Sequence, residues 1–261
     1  DRAVAPLVER LADDILREAA SAALVTMGQK TVPELLDALR NPDTRDGAAD
    51  TLVGIGDRAV PGLIEMLLDE DARESASGAL VRLREIALPD LLEGLKRTEL
   101  RSEVMEILVQ NPDIAAPALS DRLGDDRLHE VVQAALVEMG SQSVPSLIAW
   151  LQDTDRVELA KQSLFRIGKR AVRPLSEALP DAVIGDEAAE LLVRFAKDEK
   201  RDEVRRLAFD LLADALLDAN LESIGRARAA AALGAIGGIE VLGPLIRVLP
   251  EEALRPAAEE S

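Results

Sequence analysis

Val32-Pro33-Glu34-Leu35-Leu36-Asp37-Ala38-Leu39 returns 28 residues later as Val60-Pro61-Gly62-Leu63-Ile64-Glu65-Met66-Leu67, and then as Leu88-Pro89-Asp90-Leu91-Leu92-Glu93-Gly94-Leu95. The proline continues at Pro117 and Pro145, with Pro6 and Pro174 displaced by one position. Leu11, Leu39, Leu67, Leu95, Leu123, Leu151 and Leu179 keep the same register without a slip. A fixed period of about 20–50 residues belongs to stacked supersecondary units. One elongated repeat domain without an internal boundary is therefore expected, where 261 residues would otherwise suggest one or two globular domains.

Each unit has two halves. Ala20, Ala48, Ala76, Val104, Val132, Ala160 and Ala188 form one column, and Leu24, Leu52, Leu80, Leu108, Leu136, Leu164 and Leu192 another, four residues on. Apolar residues at i, i+4 and i+7 mark one face of a helix, here helix A. Gly28, Gly56, Gly140 and Gly168 close it, as a C-terminal stop should. The proline segment follows as a shorter helix B, since proline is tolerated in a first turn whose N–H has no intrahelical partner. Asp43, Asp71, Glu99 and Asp155 precede helix A, with Asp46, Glu74 and Glu158 three residues on, close to a capping box. Between them runs a basic column, Arg17, Arg45, Arg73 and Arg101, whose next member is His129, the one histidine.

The motif Asp43, Arg45, Ala48, Leu52, Gly56 and Val60-Pro61-Gly62-Leu63 resembles the HEAT-like repeats of the short phycobilisome-lyase type. The resemblance covers nearly the whole chain. It implies an all-α, right-handed α-solenoid of about eight two-helix repeats. It also implies an Asp–Arg hydrogen-bonded ladder between adjacent units, with helix B on the concave side. Such repeats serve scaffolds, adaptors, a few enzymes and chromophore lyases.

Arg84, Pro112 and Ala196 stand where the stop glycine belongs. The proline is lost beyond Ala196, and the pattern recovers late, at Ala229–Gly237, with Val241, Pro244 and Leu245 in the last helix B. The expected division is a solenoid over 1–249, regular to about 196, irregular over 197–225, with a last repeat at 226–249. A polar tail follows at 250–261. The opening Asp1-Arg2-Ala3-Val4 echoes Asp57-Arg58-Ala59-Val60, so the chain is expected to enter on an orphan helix B, as a fragment would.

The chain carries 49 acidic against 31 basic residues, a net charge of −18. That opposes general nucleic-acid binding, which needs a basic footprint, and suits a basic partner or plain solubility. One Trp, three Phe and no Tyr leave little material for base stacking or cofactor clamps. Without cysteine there is no disulfide and no thiolate chemistry. No apolar stretch reaches the length of a membrane span, and no signal-type N-terminus is visible, so the expected compartment is the cytoplasm.

Two residues before the period-keeping leucine stand Glu9, Asp37, Glu65, Glu93, Asp121, Ala149 and Glu177. At 100° per residue Leu35, Leu36 and Leu39 share a face and Asp37 points almost opposite. An ordinary solvated face is the plain reading. The functional one is a negative groove, since neighbouring helices pack about 8–10 Å apart, comparable to the Debye length of about 8 Å. Trp150 stands where the acidic column breaks, and it is either a partner's anchor or packed on a neighbouring helix.

His129-Glu130 is a single pair, whereas the iron-binding hydroxylases of the HEAT type use several, so no metal is expected. Arg194, Lys197, Lys200, Arg201, Arg205 and Arg206 form a local basic cluster, interleaved with Asp198, Glu199, Asp202 and Glu203. It reads as a solvated helix face or an anion site.

The expected function is a non-catalytic protein-interaction scaffold, not an enzyme. No cofactor is expected, and the basic protein partner would meet Glu9, Asp37, Glu65, Glu93, Asp121, Trp150 and Glu177. The alternative, by resemblance alone, is a phycobilin lyase-like chromophore-attachment or chaperone protein.

Overall fold

The computed structural model describes residues 3–125 and 127–248, and the tail expected at 250–261 lies outside them. Every described regular element is helical. Helix B opens the chain as α1 (Val4–Glu9), and A and B then alternate. The pairs are α2 (Arg17–Met27) with α3 (Val32–Ala38), α4 (Arg45–Ile55) with α5 (Val60–Met66), and α6 (Arg73–Leu83) with α7 (Leu88–Gly94). Next come α8 (Arg101–Gln110) with α9 (Pro112–Ser120), α10 (His129–Met139) with α11 (Val144–Ala149), and α12 (Val157–Ile167) with α13 (Lys169–Glu177). The last are α14 (Gly185–Ala196) with α15 (Asp202–Leu217) and α16 (Ser223–Ile236) with α17 (Leu242–Val248). These eight pairs behind an orphan helix B are the expected count among the described residues.

The chain forms two compact units, Asp1–Ala118 and Leu119–Ser261. In the first, the A helices α2, α4, α6 and α8 stack in order, and α1, α3, α5 and α7 do the same beside them. In the second, α10, α12 and α14 stack, as do α11, α13 and α15. α16 then packs on α14, and α17 on α15. Each unit is thus an α-solenoid of two-helix repeats.

The columns form the core. The Ala/Val and Leu members of helix A are at most 3% exposed, and so are the seven leucines of the 28-residue register. Pro33, Pro61, Pro89 and Pro145 sit in the first turn of α3, α5, α7 and α11. Pro117 and Pro174 lie inside α9 and α13, which begin earlier by absorbing the turn. No described helix is long and apolar enough to cross a membrane.

The turn after helix A decides where it stops. Gly28, Gly56, Gly140 and Gly168 have φ between 59° and 79° with ψ between −118° and −143°, a region that a Cβ disfavours. Arg84 adopts the same conformation, φ 46° and ψ −119°, despite its side chain. Gly56→Ala should cost about 1–3 kcal/mol. Nothing lies within 4 Å of the added methyl, so urea unfolding would report the dihedral alone. Arg84→Gly should relieve the same strain. Its gain is smaller, because the exposed ion pair of Arg84 with Asp113 at 2.5 Å is lost.

The acids expected to cap helix A do not do so. α4, α6, α8 and α12 begin behind Thr44, Ala72, Leu100 and Arg156, none of which makes a side-chain cap bond. A different column makes the turn: Asp13, Asn41, Asp69, Asp125, Asp153 and Asp181 accept the backbone N–H two residues on, at 2.8–3.0 Å. Short side chains of this kind bond their own backbone and favour turns over helix.

The basic column links each helix A to the helix B of the preceding unit. Arg17, Arg73 and Arg101 donate from Nε to the carbonyls of Leu11, Leu67 and Leu95, at 2.9–3.1 Å. Each guanidinium at the start of helix A thereby satisfies a carbonyl at the end of the preceding helix B, where cations are favoured. The column's arginines thus bond carbonyls across adjacent units, at the place where the resemblance implied Asp–Arg pairing. Asp–Arg pairs between adjacent repeats come from other positions, Arg40 with Asp69 and Arg82 with Asp50.

Candidate functional site

Helix B projects residues 9, 37, 65, 93, 121 and 177 away from the buried leucines two positions on, and all six carboxylates are exposed. Exposure does not leave them equally free. In the first unit Asp37 is held by Arg40 at 2.5 Å, and Arg40 also reaches Asp69 at 2.8 Å in the next repeat. Glu65 is gripped by both terminal nitrogens of Arg97, and Glu93 by Lys96 at 2.8 Å. This stretch is a ridge of alternating ion pairs. Glu9, in the same unit, has no ion pair among the described residues, and neither have Asp121 and Glu177 of the second unit.

Trp150 caps α11 and opens a 3-10 turn ending at Gln152. It is half-buried, and the Arg156 guanidinium lies 4.0 Å from its ring centroid. Arg156 also reaches Asp153 at 3.6 Å. The indole is thus held by the residue that leads into the next helix A and keeps part of its surface in solvent. Within the second unit it stands one residue past the position that Asp121 and Glu177 occupy in their repeats.

His129 begins α10 and is half-buried. Among the described residues no three His, Asp or Glu side chains gather as a metal site would need. The basic cluster is more structured than its interleaved charges suggest. Phe165 and Phe195 stack at 5.0 Å, and Arg194 and Arg201 lie 4.1 and 4.2 Å from the Phe165 ring. Arg201 is fixed by Asp198 at 2.5 Å and by the Phe165 carbonyl at 2.8 Å. Lys161, 10% exposed at its side chain, binds Glu187 and Glu190. Burial opposes its charge, but the two carboxylates outweigh it and raise its pKa.

Four aspartates are held below the usual carboxyl range: Asp69 by Arg40, Asp113 by Arg84, Asp181 by the Val183 N–H and Asp198 by Arg201. A depressed folded pKa gives stability that is present above the unfolded value near 3.8 and lost as pH falls through the folded one. Helicity followed by circular dichroism should therefore hold down to about pH 4 and fall below it. Asp69→Asn should reduce stability at neutral pH and make the acid limb shallower.

No family model matches the chain, and no curated protein matches it. Solved structures similar to it include human deoxyhypusine hydroxylase in complex with glycerol, 20% identical over 88% of this chain and 94% of that one, with a TM-score of 0.32. An engineered protein is 18% identical over 98% and 93% of the two chains, with a TM-score of 0.18. Neither likeness bears on substrate, metal or partner. The hydroxylase is an enzyme, however, and this corrects the expectation that the chain is not one: a repeat chain of this kind does not exclude catalysis.

Proposed function

We propose that the chain is a protein-interaction scaffold of HEAT-like repeats, and that a partner with a basic surface meets helix B of the second unit at Asp121, Trp150 and Glu177. The supporting observation is that Trp150 keeps exposed indole surface while the two acids of that face hold no cation of their own. A charged approach then surrounds an aromatic anchor. In the first unit Glu9, Asp37, Glu65 and Glu93 belong to the same proposal, but Arg40, Arg97 and Lys96 already neutralise three of them.

The finer resemblance, to phycobilisome-lyase repeats, belongs to this proposal on the strength of the Val-Pro-x-Leu register. A chromophore role would require bilin absorbance in the protein. The proposal also takes the loss of the repeat pattern over 197–225 as the end of the regular array, and the cytoplasm as the compartment.

With the partner captured by the intact chain, Asp121→Asn with Glu177→Gln should slow association on the order of tenfold at low salt and flatten its salt dependence. Asp37→Asn with Glu65→Gln and Glu93→Gln should change it less. Trp150→Ala should instead speed dissociation by about tenfold or more. Surface plasmon resonance separates the two rates. Unchanged rates in all three variants would leave this face a solvated surface and end the proposal.

A further inference from the structure

The second unit carries a cleft of about 720 Å³ beside Phe165 and the C-terminal end of α14. Its charged lining is Glu190, Arg194, Lys197, Asp198 and Lys200. Both acids are already engaged. Glu190 accepts from Lys161 at 2.5 Å, and Asp198 from Arg201 at 2.5 Å and from the Lys200 backbone N–H at 3.1 Å. Arg201 is itself anchored on the Phe165 carbonyl and turned to the aromatic pair. The three remaining cations, Arg194, Lys197 and Lys200, have no ion pair among the described residues, and all three are exposed. Lys161 is shared by Glu187 and Glu190, so one surplus carboxylate stands against three free cations. In a chain of net charge −18 this is a local reversal of sign.

The helix dipole accounts for cations in the last turn of α14. It does not account for a guanidinium stacked on a phenyl ring. Arg194 lies 4.1 Å from the Phe165 centroid and lines the cleft, and a guanidinium resting on a ring is restrained while its N–H groups remain able to donate. A fork held in advance matches the paired oxygens of a phosphate or carboxylate and loses little freedom on binding. Lys197 and Lys200 add point charges on the same cleft. The neighbouring cleft around Phe209 has no such excess, because Lys197, Arg205 and Arg206 there face Glu199, Asp210 and Glu240.

We propose that the Phe165–Arg194 cleft binds an oxyanion carried on a partner's peptide chain, a phosphorylated side chain. The chain as a whole repels long polyanions, which favours a local anion on a peptide over nucleic acid. This site is separate from the helix B face and takes a partner segment of opposite charge. It can therefore stand if that reading fails.

The test is a titration of the full ¹⁵N-labelled chain with four probes: a decapeptide bearing two phosphoserines, its unphosphorylated form, inorganic phosphate and a single-stranded DNA 12-mer. The phosphopeptide should shift Lys197, Lys200 and the Arg194 side chain, and bind at least about tenfold more tightly than the other three. Arg194→Gln and Lys197→Gln should each weaken it about tenfold, with circular dichroism and thermal midpoint unchanged. Arg194→Lys, which keeps the charge and removes the planar fork, should weaken it nearly as much. Equal binding of inorganic phosphate overturns the peptide-borne ligand, and tighter DNA binding overturns the choice of partner. Absence of shifts in the cleft, or full binding by Arg194→Gln, overturns the site.

Discussion

Arg228→Ala should destabilise the second unit by about 1–3 kcal/mol, well above what a surface arginine is worth. In the regular repeats an arginine at the start of helix A bonds the carbonyl of the leucine six residues back. That column reaches Gly185 in the seventh repeat, which has no side chain to offer. Arg228, from α16, takes its place: Nη1 donates to the Leu179 carbonyl at 2.9 Å and to that of Asp181 at 2.6 Å, while Nε bonds Asp186 at 2.7 Å. Its side chain is only 10% exposed. Truncation would strand the Leu179 carbonyl, while that of Asp181 keeps the Gly185 N–H at 3.1 Å, and leaving such a group unpaired costs more than its bond contributes.

Gly185→Ala attacks the same joint from the other side. The new Cβ would lie 2.1 Å from Nη1 of Arg228 and 2.6 Å from the Leu179 carbonyl oxygen, so the guanidinium must leave. The double variant should lose less than the sum of the two, because both remove one interaction. Full additivity in chemical denaturation would show that the two residues act independently.

Leu52→Ala is the second large effect, about 2–5 kcal/mol. Leu52 is 0% exposed, one of the leucines that every helix A turns into the core. Ile15→Ala, at a turn residue 89% exposed, removes a similar volume and should stay within about 0.5 kcal/mol. Stacked repeats couple to their nearest neighbours. Hydrogen exchange should therefore show lost protection in α2, α4 and α6 of the first unit before it reaches α12 or α14.

What the sequence made legible follows from what repetition encodes. Burial is set by position in the unit, so the columns Ala20–Ala188, Leu24–Leu192 and Leu11–Leu179 read directly as core. Conformation is legible where one residue type is needed, as at Gly56, and is lost where the chain tolerates strain, as at Arg84. Hydrogen-bond partners were misread, because several acids stand within reach of each helix start. The 28-residue spacing of Asp13, Asn41, Asp69, Asp125, Asp153 and Asp181 was the available signal for the turn.

Pairing between repeats was not legible at all. Nothing in the one-dimensional pattern says that Arg97 reaches Glu65 of the repeat before, or that Arg40 reaches Asp69 of the next. Nor does it say that Arg156 covers Trp150, or that Arg194 lies on Phe165. Long side chains reach across a repeat of neighbours, and their choice depends on local packing.

The chain has a single tryptophan, and it stands on the proposed contact face. Replacing it biosynthetically with 5-fluorotryptophan gives one ¹⁹F resonance from Trp150, to be followed while the captured partner is titrated to saturation by calorimetry. The expected result is a shifted resonance at saturation that no longer responds to exchanging H₂O for D₂O, as burial of the exposed indole requires. A resonance unmoved in position and solvent response, on a chain fully occupied by its partner, would contradict the account.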